Sequence, residues 1–122
     1  MPTAVERMIM SNSVQPSLRF FYPEALHIRT LQFLDTLEQA EDPTRHANAL
    51  GDLVVELTDI GMDYYFLKPL EQAGVGFVLR QSANLGMAGA VRVIGPVIRK
   101  IIARLDHSQL LTISAYLRQL MR

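Results

Sequence analysis

The stretch from Gly74 to Leu105 constrains the fold of this chain most strongly, because it is apolar, rich in small residues and periodic. Its bulky apolar residues recur at steps of three and four, namely Val91, Ile94, Ile98, Ile101 and Leu105. Such residues share one face of a helix, and we expect that face to be buried. The glycines at positions 86 and 89 weaken an isolated helix but allow another helix backbone to approach closely. The sequence therefore predicts the central helix of a bundle.

Two features predict irregularity within the helices. Arg80, Gln81, Ser82 and Asn84 form a polar island just before the two glycines, so we expect a break near Ser82–Gly86. Earlier in the chain, Pro69 lacks an amide proton and its ring clashes with the carbonyl of Tyr65 in a regular helix. The pattern around it predicts a kink or a break.

Three further helices are indicated by apolar stripes and capping residues. The first begins at Pro23 and ends near Ala40, and the second follows Thr44 as its cap. Asp106 and Gln109 have the spacing of a capping box and begin the last helix. The apolar stripes of the three helices are Leu26, Thr30, Phe33, Leu34 and Leu37; Leu50, Leu53, Leu57, Ile60, Tyr64 and Leu67; and Leu110, Ile113, Leu117 and Leu120.

These elements predict an all-α fold: an up-and-down bundle of four main helices over residues 23–122, with proline-kinked central helices. Residues 1–22 form an irregular N-terminal arm, in which Thr3 and Glu6 have the spacing of a cap for a short helix. The aromatic residues at positions 20–22 either lie over the bundle and close one end of its core, or exchange with a second subunit.

Composition excludes several classes of function. Twelve basic and twelve acidic residues cancel, and the basic positions late in the chain are not interleaved with aromatic residues, which argues against nucleic-acid binding. Arg80 and Arg92 interrupt the longest apolar stretch, so we expect no membrane span. There is no cysteine, and Glu6 and Arg7 interrupt the N-terminal apolar run, so we expect a cytoplasmic protein.

Carboxylates provide the only candidates for metal binding or catalysis. Glu24 and His27 stand three residues apart, a spacing used by carboxylate-bridged di-iron bundles, but neither of the other histidines has a glutamate three residues before it. An acidic row is formed by Asp52, Glu56, Asp59 and Asp63, which we interpret as a solvated or ion-paired face. We therefore predict no catalytic residues, no metal and no cofactor, and an enzyme is the least favoured class.

Six residues are candidates for binding a small apolar ligand with an anionic head group. Tyr64, Tyr65 and Phe66 cluster where the second helix is irregular, and Phe77 follows shortly after. An apolar gap there would lie near Arg80 and Asn84, whose side chains suit an anion. The alternative is that the aromatic residues fill an irregular corner and that Arg80 pairs with the acidic row.

The central helix carries more apolar positions than one buried face requires, so it is either surrounded within the monomer or packed against a copy of itself. We favour a symmetric homodimer through the surface formed by Gly86, Gly89, Ala90, Val93 and Val97. The sequence thus predicts a non-catalytic helical interaction or regulatory module that acts through protein–protein contacts, with itself and with another protein as partners. The alternative function is a small-ligand-binding bundle.

Overall fold

A computed structural model of the protein describes residues 16–121. Helix α1 spans Glu24–Gln39, and a 3-10 turn, Pro43–His46, connects it to α2, Ala47–Met62. A π-helical segment, Asp63–Leu67, and the short helix α3, Lys68–Gln72, continue from α2. The longest helix, α4, spans Phe77–Ile102, and α5 spans His107–Leu120. The described range contains no strand, so the predicted all-α bundle is confirmed. The Thr3–Glu6 cap predicted for the arm lies outside the described residues.

The hydrophobic core lies where α1, α2 and α5 meet the C-terminal end of α4. Its buried members are Leu26, Leu37, Ala47, Leu50, Leu53, Ile102 and Leu110. The apolar stripes predicted for α1 and α2 supply most of these residues, because positions three and four apart on a helix point the same way. Only one core residue, Ile102, comes from α4.

Helix ends follow local capping chemistry. The capping box predicted for α5 is confirmed, since the Gln109 amide donates to the Asp106 carboxylate at 2.8 Å and the Asp106 amide donates to the Gln109 side chain at 3.0 Å. The predicted cap at Thr44 is wrong. Asp42 is the capping residue and accepts hydrogen bonds from the amide and the hydroxyl of Thr44, so the chain first forms the 3-10 turn and α2 begins only at Ala47.

The irregularity predicted at Pro69 is a π-helical segment, Asp63–Leu67, rather than an end of the helix. In a regular helix the Pro69 ring would clash with the Tyr65 carbonyl. The wider π turn accommodates the ring, and the helix continues to Gln72. The chain then turns at Gly74, whose positive φ of 69° favours glycine.

Helix α4 differs from the sequence prediction in two ways. It runs without a break from Phe77 to Ile102, because single glycines cost only about 1 kcal/mol each and good helix formers surround them. It is also not enclosed, since Gly95 and Ile102 are its only buried residues and the predicted buried residues Ile94 and Ile101 are exposed. The line of α4 that packs on α2 passes through Gly95, which lies against Val55.

A network of ion pairs and hydrogen bonds joins α1 to α5. Arg118 of α5 donates to both oxygens of Glu38 at 2.9 Å and also pairs with Asp35. The Ser114 hydroxyl donates to the same Glu38 carboxylate at 2.7 Å. These hydrogen bonds stabilise the charged carboxylate and lower the pKa of Glu38. The network joins α1 to α5 at the edge of the core.

Candidate functional site

The outer face of α4 is an apolar surface that the described part of the chain leaves uncovered. We define this outer face as Leu79, Gly86, Ala90, Val93, Val97 and Ile101. These residues share one side of the helix, because successive members are three, four or seven residues apart, which is about one or two helical turns. Val93, Val97 and Ile101 are 73%, 51% and 58% exposed. Contiguous apolar patches of this kind mark interaction sites on soluble proteins.

The glycines at the contact between α2 and α4 have neighbouring atoms close by, whereas Gly86 and Gly89 of α4 do not. A Cβ atom on Gly51 of α2 would lie 3.2 Å from the Cα of Arg99, and one on Gly95 would lie 3.6 Å from Val55. These two glycines therefore allow α2 and α4 to approach closely. A Cβ on Gly86 or Gly89 would meet nothing within 4 Å. Within the described chain, their small size serves no packing contact.

Charge is distributed unevenly along α4. The helix contains no acidic residue, and Arg92, Arg99 and Lys100 lie in its second half, with Arg104 in the turn that follows. Arg99 pairs with Asp52 of α2, with its Nε 2.8 Å from the carboxylate oxygen. The other three have no carboxylate partner among residues 16–121. The C-terminal half of α4 therefore presents positive charge beside its apolar outer face.

The N-terminal end of α4 lies beside carboxylates instead. Asp63 of the π-helical segment and Glu71 of α3 line a small pocket of about 100 Å³ together with Arg80, Ala83 and Asn84. Neither carboxylate lies within ion-pairing distance of a basic group in the part of the chain that the structure describes. The N-terminal end of α4 thus carries both signs of charge, since Arg80 lies in the same pocket as the two carboxylates.

The six predicted ligand-binding residues do not line one common pocket. Tyr65 and Phe66 line an apolar groove, whereas Arg80 and Asn84 belong to the separate small pocket. Phe77 is exposed at the start of α4. Tyr64 packs edge-on against Tyr65, and the Lys68 ammonium lies 5.1 Å from its ring centroid.

The apolar groove has a volume of about 1240 Å³ and is open to solvent along one side. The groove is lined by residues of α2, by the C-terminal end of α5, by Met87 of α4 and by the described part of the N-terminal arm. The lining residues that the sequence analysis did not assign to a ligand site include Phe20, Tyr22, Val54, Leu57, Gly61, Met62, Met87, Leu117 and Leu120. Their periodicity resembles that of any core residue, so no sequence signal distinguishes them.

The arm closes one end of the groove. Phe20 lies 3.5 Å from where a Gly61 Cβ would be and packs edge-on against Tyr65, whose hydroxyl donates to the Leu18 carbonyl at 2.8 Å. The Tyr22 hydroxyl and His27 Nδ1 are hydrogen-bonded at 2.6 Å, and burial raises the pKa of Tyr22. Phe20 therefore packs on α2 and the π-helical segment of its own chain, and Tyr22 packs on α1.

The carboxylates predicted as candidates have structural partners in part. In the acidic row, Asp52 pairs with Arg99 and Glu56 pairs with Arg29, while Asp59 is exposed and Asp63 lines the small pocket. Glu24 and His27 both line the apolar groove. Residues 16–121 contain no group of three or more potential metal ligands. None of the helices in this range is both long enough and apolar enough to cross a membrane.

Comparison of the chain with protein-family models, with curated proteins and with solved structures found no match.

Proposed function

We propose that this protein is a non-catalytic helical interaction module that forms a homodimer through the outer face of α4. The observation that carries the proposal is the presence, among exposed apolar side chains, of an exposed glycine, Gly86, at which an added Cβ would meet nothing within 4 Å. Gly86 and Gly89 each cost a helix about 1 kcal/mol relative to alanine. Close approach of a second helix backbone explains why small residues stand there.

The dimensions of α4 suit such an interface. Its 26 residues extend about 39 Å at 1.5 Å per residue. Each fully buried Val, Leu or Ile side chain contributes about 1.5–3 kcal/mol. Four such residues lie on the outer face of each copy, namely Leu79, Val93, Val97 and Ile101, and all four are exposed. A standard interface buries about 800 Å² per partner, and these side chains would lie at its apolar centre.

The test is sedimentation velocity over a range of protein concentrations. We expect the wild-type chain to sediment as a dimer and Val93→Glu to sediment as a monomer, because a buried unpaired carboxylate opposes association. Tyr116→Glu, at an exposed site on α5, is the matched control and should remain dimeric. Circular dichroism should show equal helix content in all three proteins. A wild-type monomer at the highest concentration would refute the proposal.

A partner of different sequence is the other way of using this surface. A second protein with an apolar helix can occupy the outer face of α4 in the manner of helix-in-groove recognition. The absence of cysteine is compatible with a reducing compartment, and we propose the cytoplasm as the location. Both statements extend the proposal of an interaction module and do not alter its test.

The apolar groove favours a second candidate function, which is the binding of a small apolar ligand. Its volume of about 1240 Å³ exceeds the roughly 300–1,000 Å³ typical of ligand sites. Dodecanoate is a suitable probe in isothermal titration calorimetry. If the groove binds it, Phe66→Glu should abolish the heat signal, since Phe66 lines the groove, and Phe77→Glu should retain it. If both variants lose the heat of dodecanoate binding equally, the groove is not the binding site.

A further inference from the structure

We propose that the apolar groove is occupied by the N-terminal residues of its own chain, with Val5, Met8 and Ile9 as the side chains that fill it. The groove is a different surface from the outer face of α4, so this inference does not depend on the proposed homodimer. Three observations carry it: the open groove itself, the place where the described chain begins, and the spacing of apolar residues before that place.

The groove has the form of a site for a helical segment rather than for a compact ligand. Its volume of about 1240 Å³ lies above the range of roughly 300–1,000 Å³ that small-ligand sites have, and it is open along one side. Three helices, α2, α4 and α5, contribute apolar side chains to it, among them Val54, Met87 and Leu120. An open apolar channel between helices receives the apolar face of a further helical segment.

Methionine is shared between the groove and the residues proposed to fill it. The chain has six methionines. Three of them, from three different parts of the bundle, line the groove: Met62, Met87 and Met121. The other three lie among the first ten residues. Methionine is unbranched and polarizable, so it adapts to irregular apolar surfaces. A groove lined in this way therefore accepts a short segment that supplies valine, isoleucine and methionine together.

The described chain begins at the groove. Pro16 is the first described residue, and Ser17, Leu18 and Phe20 line the groove. An extended chain gains at most about 3.3–3.6 Å per residue, so Ile9 reaches lining residues up to about 25 Å from Ser17. A tether of this length gives the preceding residues an effective concentration on the order of millimolar at the groove. Weak apolar contacts are therefore sufficient to keep the groove occupied.

The first ten residues have the pattern that an apolar groove requires. Val5, Met8 and Ile9 are separated by three and four positions, so they share one face of the short helix that Thr3 and Glu6 predict. Glu6 lies off that face, where its carboxylate stays in water. The sequence thus supplies one turn of apolar side chains at the end of a tether that starts at the groove.

Disulfide formation tests the placement directly, because the chain has no cysteine of its own. In the full chain, Ile9→Cys is combined in turn with Met62→Cys, Met87→Cys and Leu120→Cys, which lie on three different helices that line the groove. A disulfide needs Cα atoms about 4.4–6.8 Å apart. We expect mild oxidation to remove both thiols of at least one pair within a single chain. Ile9→Cys with Arg45→Cys is the control and should keep both thiols, because Arg45 lies beyond the opposite end of α1.

A titration with dodecanoate gives a second measurement. The apparent affinity of a ligand is reduced by the fraction of chains whose site is open, so a groove covered in about 90–99% of chains binds roughly 10- to 100-fold more weakly than an open one. Ile9→Asp should therefore strengthen dodecanoate binding by that factor. Val14→Asp is the matched control, since Val14 lies off the apolar face, and it should bind as the wild type does.

The outcomes separate the possible occupants of the groove. A covalent dimer in place of a closed single chain would show that these residues occupy the groove of a second copy, and would overturn the inference. Failure of all three pairs to close, with equal dodecanoate affinity in Ile9→Asp and the wild type, would show that the groove is left to another ligand. Neither result changes the test of the homodimer, and a monomer in sedimentation leaves this inference standing.

Discussion

The hydroxyl of Thr30 lies fully buried in α1 and has no hydrogen-bond partner within residues 16–121. An unsatisfied buried polar group costs about 1–3 kcal/mol, whereas valine has the same shape without the hydroxyl. We expect Thr30→Val to raise the free energy of unfolding by about 1 kcal/mol, measured by urea denaturation. Thr36→Val in the same helix is the control, because the Thr36 hydroxyl is exposed. A lower stability for Thr30→Val would contradict this account.

Glu38 gives the fold a defined dependence on pH. Hydrogen bonds from Arg118 and Ser114 lower the pKa of Glu38 in the folded state, so the unfolded chain binds the proton more tightly. The resulting stability is present above the ordinary carboxyl pKa and is lost as pH falls through the lowered folded pKa. We expect Glu38→Gln to be less stable at neutral pH and to lose less stability on acidification. Urea midpoints across the acid range measure this, and parallel curves for both proteins would exclude the role of Glu38.

Local capping was predictable from sequence only where one candidate dominated. Asp106 has Gln109 three residues later as its reciprocal partner, which the nearby Ser108 lacks, and both hydrogen bonds of the capping box are present. At the start of α2, Asp42 and Thr44 are both good capping residues two positions apart. The structure uses the aspartate, whose pKa is lowered chiefly by the hydrogen bond from the Thr44 side chain. Sequence alone does not rank such neighbours.

At the scale of elements, substitution by alanine should change stability in opposite directions at Gly51, which contacts α4, and at Gly86, on the uncovered side of α4. Gly51→Ala would force a methyl against the Arg99 backbone and should destabilise the α2–α4 contact by about 1–3 kcal/mol. Gly86→Ala meets open space and should stabilise the helix by up to about 1 kcal/mol. Both are measured by thermal unfolding in the monomeric Val93→Glu background, which removes any contribution from dimerisation. Similar losses in both variants would show that Gly86 is packed within the monomer.

Periodicity identified α4 as a helix but only part of the face that packs, since Ile98 and Leu105 of the predicted row lie against the core while Ile94 and Ile101 are exposed. The helix is apolar on several sides, so the row from Val91 to Leu105 and the row through Gly95 and Ile102 fit the pattern equally well. Close approach between Gly51 and Arg99 selects the second row, and that approach depends on two helices far apart in sequence. The same limit applies to the apolar groove, whose walls come from the arm, α2, α4 and α5.

At the scale of the whole molecule, the aromatic cluster and the anion-binding pair were predicted to lie near one another because they are close in sequence. The aromatic residues lie within the π-helical segment, and α3 and the turn at Gly74 follow it before α4 begins. Tyr65 and Phe66 line the groove, while Arg80 and Asn84 line the small pocket with Asp63 and Glu71. Proximity along a chain does not fix direction when an irregular turn intervenes. The small residues at the middle of α4 were predicted to lie at a homodimer interface. The structure shows Gly86 and Ala90 exposed, and the interface stays a prediction that sedimentation tests.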